Sequence, residues 1–443
     1  MFYQHIGVIE TAFTNRKNFS EIVDLKKLTR VAVADADEWA GEGWGVNLKR
    51  DFNCNLVIII TEKQYICIMR NVVNVNADML TWAIARAGYE LQTFTCKFPK
   101  VQQWLEGEKM PTVKQLEDFS NKVHLPFGYL FLPEPPNERL PIPFFRSNGN
   151  PYDRLNINVY DTLLLLQQRQ DWLKNYLKDN DFQSLPFVGK FRNESNIKAI
   201  VADIRQTLGL PENWASQFKT WQEAQDHLVL HIEDKGIVTV FNGVVENNGH
   251  RKIPVDECRG FVLVDEMVPF MFVNNDDWKS AQMFTVVHEL AHIWTGHSAG
   301  FDFRKLQPAD NPVEKLCDQV AAEFLVPENS FNKVWTDLSK ISTASRYFKV
   351  SEIVIARRAL DTGKLTKKEF FSFYAEYSER EFVKKEKQSS GGDFYATTKK
   401  RLSLTFAAHI NNAVKSGELL YRDAYKLTGL KGDTFQNFFS RYF

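Results

Sequence analysis

Cysteine is scarce in this chain: five residues in 443, at Cys54, Cys67, Cys96, Cys258 and Cys317, with no CxxC pair. An odd, scattered set excludes a disulfide framework and points to a reducing, cytoplasmic compartment. Net charge is also absent, with 55 Lys+Arg against 55 Asp+Glu. That excludes a nucleic-acid or membrane binder driven by overall charge and leaves room for a local basic patch. Apolar runs such as Leu56–Ile60 and Leu163–Leu166 fall far below the ~18 residues of a membrane span. The opening MFYQHIGVIETAFTNRKNFS lacks a basic segment followed by an apolar one, so no signal peptide is expected. What is present is ordinary for a globular protein: 44% apolar and 25% charged residues. At roughly 150 residues per domain the length allows about three domains.

Two stretches read as boundaries. Residues 132–143, LPEPPNERLPIP, hold five prolines in twelve positions, and proline removes backbone donors and disfavours helix before it. Residues 384–393, KKEKQSSGGD, are polar and rich in Gly and Ser, as a flexible linker is. The expected organisation is an N-terminal extension with strand-like runs over 1–74, a helical module over 75–132, a connector over 133–149, a main domain over 150–383, a linker over 384–394 and a helical C-terminal region over 395–443. In the helical module, Met79, Leu80, Ala83, Ile84 and Ala87 recur at helical spacing and stop at Gly88. Val113, Leu116, Phe119 and Val123 form a second apolar stripe. In the main domain, helical patterns flank strand signals at 237–241, 260–264 and 269–273. The fold class expected is therefore α+β, mostly helical, with a short sheet just upstream of a helix.

The chemistry-bearing motif is His288-Glu289-Leu290-Ala291-His292. Residues four apart on a helix share one face, so both imidazoles can reach one metal ion. Glu289 points to the side, where it can hold water beside the metal and take its proton as general base. The apolar flanks, Met283 to Val287, bury the helix, and buried imidazoles need partners. A catalytic site also needs a third protein ligand. Downstream, Glu314, Cys317, Asp318, Ala321 and Ala322 share one helical face. Glu314 is the candidate third ligand. Asp318, one turn on, is placed to accept the second N–H of a ligating histidine. The alternatives are solvated helix charges for this acidic pair and, for Cys317, either a soft ligand or a buried apolar thiol. His297 follows Gly296 but misses the His position of the longer H-E-x-x-H-x-x-G-x-x-H pattern, because Thr295 and Ser298 stand where Gly and His are needed. It is a candidate for substrate or oxyanion contact, or a loop histidine at a helix end.

The segments at 260–264, 281–292 and 314–327 resemble the ImmA/IrrE family of zinc metallopeptidases. Residues 104–112, WLEGEKMPT, are similar to the third-helix end of Xre-type helix-turn-helix domains. Residues 127–136, 169–172 and 419–432 look like the long members that fuse the two parts, so that the resemblance covers about 75–443. It implies an Xre-like module followed by a minimal zincin-like domain. It implies Zn2+ on His288, His292 and Glu314 with Glu289 as general base, as in a gluzincin-like endopeptidase. It also implies a protein substrate or partner: a repressor of a mobile element or stress response, or a neighbouring toxin.

DNA contact through the 75–132 module is the further expectation, with Lys97, Lys100, Gln102 and Gln103 as contacts. Residues 77–136 carry six basic and seven acidic side chains, a weak electrostatic footprint that favours a homodimer. The C-terminal 395–443 is more cationic, with eight basic and three acidic residues. Two classes of function follow. One is a zinc endopeptidase acting on a regulator. The other is a DNA- or toxin-binding, antitoxin-like regulator whose metal site is structural or idle.

Overall fold

The computed structural model describes residues 72–136, 156–298, 311–380 and 393–443, together with the backbone of short strands at 47–50, 56–61, 64–69, 144–145 and 299–301. Most of 1–71, most of the connector and the linker up to residue 392 lie outside the described residues. The chain divides into two compact units, Met1–Pro136 and Asn137–Phe443. The division falls among the prolines of 132–143.

In the first unit, β1 (Asn47–Arg50), β2 (Leu56–Thr61) and β3 (Gln64–Met69) pair antiparallel in that order. Four helices follow: α1 (Ala77–Arg86), α2 (Leu91–Lys97), α3 (Pro99–Leu105) and α4 (Val113–Lys122). The stretch from Gly88 to Leu105 has room for two of these helices and a turn. It holds both because each has only seven residues and Pro99 opens α3, where its missing N–H is no loss. Thr112 and Gln115 close a reciprocal cap at the start of α4. Leu80, Ala83, Ile84, Phe94, Val101, Leu116, Phe119 and Val123 form the core.

The second unit is built on a five-stranded sheet: β4 (Phe144–Phe145), β5 (Val238–Asn242), β8 (Gly260–Leu263), β9 (Phe270–Asn274) and β10 (Ala299–Phe301). Their spatial order is β4-β10-β8-β9-β5, with β4–β10 and β5–β9 parallel and the other pairs antiparallel. A small hairpin, β6 (Val244–Val245) with β7 (Asn248–Lys252), stands apart from it. Strands β5, β8 and β9 are buried along their whole length, as continuous apolar runs require when both faces are covered. Successive side chains point to opposite faces. Val262, Met271 and Val273 join one core with α6 (Ile197–Leu208), α7 (Trp221–Glu233), α8 (Lys279–Thr295) and α9 (Pro312–Leu325). Phe261, Leu263, Phe270 and Phe272 join a second core with α5 (Ile157–Asp179), α14 (Phe394–Leu402), α15 (Leu404–Ser416), α16 (Tyr421–Thr428) and α17 (Gly432–Tyr442).

The C-terminal helices are thus a layer of the sheet's own sandwich. Arg169 on α5 ties them in, donating from Nε to the Leu427 carbonyl at 2.8 Å and from Nη1 to the Arg401 carbonyl at 3.4 Å. The remaining helices, α10 (Glu328–Val334), α11 (Ile341–Phe348), α12 (Glu352–Asp361) and α13 (Lys367–Glu379), extend the first core. The fold is mostly helical with a small sheet, and among the described residues no helix is long and apolar enough to cross a membrane.

Candidate metal centre

Helix α8 lies buried against β8 and β9, with every residue from Thr285 to Thr295 out of solvent. It stops at Gly296, whose φ of 73° is left-handed, the usual glycine exit from a helix. A Cβ at Gly296 would come within 2.9 Å of Gly189 Cα. The turn at 189–191 closes on the helix end: the Gly189 amide donates to the Ile293 carbonyl at 2.8 Å and the Phe191 amide to Trp294 at 2.9 Å. Helix α9 starts on Asn311, which accepts from the Val313 amide at 2.8 Å, with Pro312 first in the helix. The small Ala321 lies buried on its inner face.

These two helices bring His288, His292 and Glu314 together. All three are fully buried, and their ligand atoms lie within 4.8 Å of one another. His288 Nε2 stands 3.2 Å from Glu314 Oε2 and 3.1 Å from His292 Nε2. His292 Nε2 stands 3.3 Å from Glu314 Oε1. On its other side, His288 Nδ1 is 3.0 Å from Asp318 Oδ1. A carboxylate only accepts, so this contact places the ring proton on Nδ1 and turns the Nε2 lone pair inward. Two ring nitrogens and a carboxylate oxygen then face one another, an arrangement that a cation among them resolves. The trio therefore fits one metal ion, and its two imidazoles and one carboxylate suit zinc.

A proton on His288 Nε2, which a metal ion would displace, answers the same need. Burial works against the His288 cation, but the hydrogen bonds to Asp318 and Glu314 outweigh it and hold the group at about 10. Burial raises Glu314, yet its hydrogen bonds with His288 and His292 win and bring it to about 2. His292 is pushed down, chiefly by burial. Glu289 is pushed up to about 8, first by burial and further by the charge of Glu314, with His288 opposing. Both carboxylate oxygens of Glu289 are buried with no hydrogen-bond partner. It sits one residue past His288, outside the trio. Burial raises the Cys317 thiol well above its usual value, which suits an apolar core residue and not a thiolate ligand.

His297 lies just beyond Gly296. Its amide donates to the His292 carbonyl at 3.1 Å, its Nδ1 is buried without a partner, and it stands outside the trio. In the first unit, Lys97 ends α2, and Lys100, Gln102 and Gln103 lie on α3. Lys97, Lys100 and Gln102 are exposed and Gln103 is half-buried. Gln102 donates to Glu106.

Sequence reasoning missed two features. Gly260 on β8 sits under the motif helix: a Cβ there would lie 2.5 Å from Thr285 Cγ2 and 3.0 Å from Glu289 Oε1. Lone glycine in a strand marks such close approach, and that signal was in the sequence. The second is a cleft of about 1190 Å³ that reaches Phe284, Thr285, Asp318 and Gln319 beside the trio, with Trp278 and Tyr374 among its other lining residues. Its residues come from separate helices, so no local pattern announces it.

A search of curated proteins finds no match. Residues 402–441 match a family described as a domain of unknown function, DUF8813. Residues 232–360 match the IrrE N-terminal-like domain, peptidase family M78. That match runs from α7 to α12 and includes all of His288, Glu289, His292, Glu314 and Asp318; over this segment the chain is similar to a metallopeptidase family.

Proposed function

We propose that the second unit is a zinc-dependent endopeptidase acting on a protein substrate, a repressor or a toxin-like partner, and that the chain is a transcriptional regulator through that activity. The observation that carries this reading is Glu289: a carboxylate with both oxygens buried and unpartnered, beside three converging ligand groups. A purely structural metal site gives no reason to bury such a group. His288, His292 and Glu314 would hold the ion, and Asp318 orients His288. When bound, zinc supplies Lewis acidity that acidifies water and polarises a carbonyl. Glu289 takes a proton from the attacking water on a carboxylate oxygen and passes it to the leaving amine. The cleft beside Thr285 and Asp318 receives the substrate chain.

DNA binding through α2 and α3 belongs to the same proposal. It is supported by the resemblance of 104–112 and by the exposure of Lys97, Lys100 and Gln102. With a net charge near minus one over 77–136, affinity would come from a homodimer.

The test is Glu289→Gln. The amide keeps the shape and cannot accept the proton. Zinc content is expected to stay at one per chain, while cleavage of proteins encoded by adjacent genes falls by roughly 10²–10⁴. Unchanged cleavage removes Glu289 from the mechanism. Retained regulation without cleavage favours the binding-only regulator.

A further inference from the structure

A second pair of histidines repeats the geometry of the motif. His227 and His231 are four apart on α7, as His288 and His292 are on α8. Their ring centroids lie 4.4 Å apart at 66°, against 4.9 Å at 66° for the motif pair. Each is half-buried, so the pair lies within reach of solvent where the motif pair does not.

The surroundings prepare both rings as ligands. His231 Nδ1 stands 2.9 Å from the Leu208 carbonyl. A carbonyl oxygen only accepts, so Nδ1 carries the proton and Nε2 is left with its lone pair. This backbone contact is the arrangement that holds metal-binding histidines in place. Among the described residues the His227 ring has no hydrogen-bond partner. Its ring is held by Phe218, with centroids 4.8 Å apart, and by Trp214 at 6.4 Å. Burial and the neighbouring His231 lower its basicity, which keeps the imidazole neutral.

We propose that His227 and His231 form a second metal site, a two-imidazole chelate for zinc, nickel or copper(II), the divalent ions that imidazole prefers. It differs from the candidate centre in kind. No carboxylate completes it, because among the described residues the trio on α8 and α9 is the sole group of three ligands within reach of one another. The remaining positions on the metal would therefore be left to water, with binding weaker and readily exchanged.

The experiment is equilibrium dialysis of the full chain against rising Ni2+, after the tight site has been loaded with Zn2+ and excess removed. One further equivalent of nickel is expected to bind, and His227→Gln and His231→Gln should each abolish it while leaving the bound zinc and the circular dichroism unchanged. The chain should melt at a higher temperature in Ni2+, and neither variant should. Nickel uptake by either variant equal to that of the parent chain would overturn the proposal, as would no uptake by the parent. The outcome is independent of the peptidase reading, since a His288→Ala, His292→Ala variant should lose the zinc and keep the nickel.

Discussion

Gly260→Ala is the sharpest test of how the motif helix is seated. The new methyl would stand 2.5 Å from Thr285 Cγ2, 3.0 Å from Glu289 Oε1 and 3.0 Å from the Phe272 carbonyl oxygen. The first distance is about 1 Å inside ordinary carbon contact. The Phe272 carbonyl belongs to the sheet and cannot yield, so α8 must shift or Thr285 must turn. Overpacking of this kind costs about 1–3 kcal/mol, read as a lower urea midpoint with unchanged slope. Glu289 is displaced with the helix, and a misplacement near 1 Å can reduce catalysis by roughly 10². Zinc should remain, because the methyl touches no member of the trio. Thr285→Ser removes Cγ2 and with it the worst contact, so the double variant should recover most of the lost stability. A Gly260→Ala chain within about 0.5 kcal/mol of the parent, or the same loss in the Thr285→Ser background, would refute the reasoning.

Three further outcomes follow. Asp318→Asn weakens the hold on His288 Nδ1 and should lower zinc affinity by about 10–100-fold, measured by competition with a chelator, with no comparable change in melting of the metal-free chain. Lys279, whose Nζ donates to the Asn275 and Gln282 side-chain oxygens at 3.0 Å, is lowered to about 8 by burial and by Lys400, with Asp226 opposing. The unfolded chain then binds more protons between about 8 and the usual 10.5, so stability should rise with pH across that window; Lys279→Met should flatten the rise in urea titrations, and a parallel slope would contradict this. Arg169→Ala leaves the Leu427 and Arg401 carbonyls without a charged donor, a loss of about 1.5–3 kcal/mol. Limited proteolysis should then enter 393–443 sooner than in the parent, and equal cleavage rates would argue against it.

The site was more legible in the sequence than the layers that hold it. The pair at 288 and 292, and the acids at 314 and 318, lie at spacings that a helix converts directly into faces. Strands β5, β8 and β9 were likewise readable from apolar runs. Those runs also carried unused information: 269–273 does not alternate, so both of its faces had to be covered, and helices from the far end of the chain were the available cover. Packing between residues more than a hundred positions apart leaves no period in the sequence, which is why 395–443 read only as a helical, cationic C-terminal region. Gly260 opens a segment that resembles a family, and its physical meaning emerges only when Glu289 is seen above it. The two short helices α2 and α3 were hidden for a different reason. Seven residues give barely two turns, too few for an apolar stripe to repeat.

The layering of the second unit has a consequence for its biosynthesis. Translation delivers the strands and the motif helix first, and α14 to α17 last. Until residues 393–443 emerge, Phe270 and Phe272 share their core with α5, Val245, Ile253 and Cys258 but lack the cover of α14 to α17, and part of an aromatic surface stays open to water and to chaperones. Leu402, Phe406, Ile410 and Phe438 then close it. A ribosome that stops in the 384–392 segment releases a chain carrying every residue of the candidate metal centre but with an adhesive underside, so aggregation and proteolytic clearance are its expected fate. The sheet's second face thus stays unclosed until α14 to α17 have packed against it.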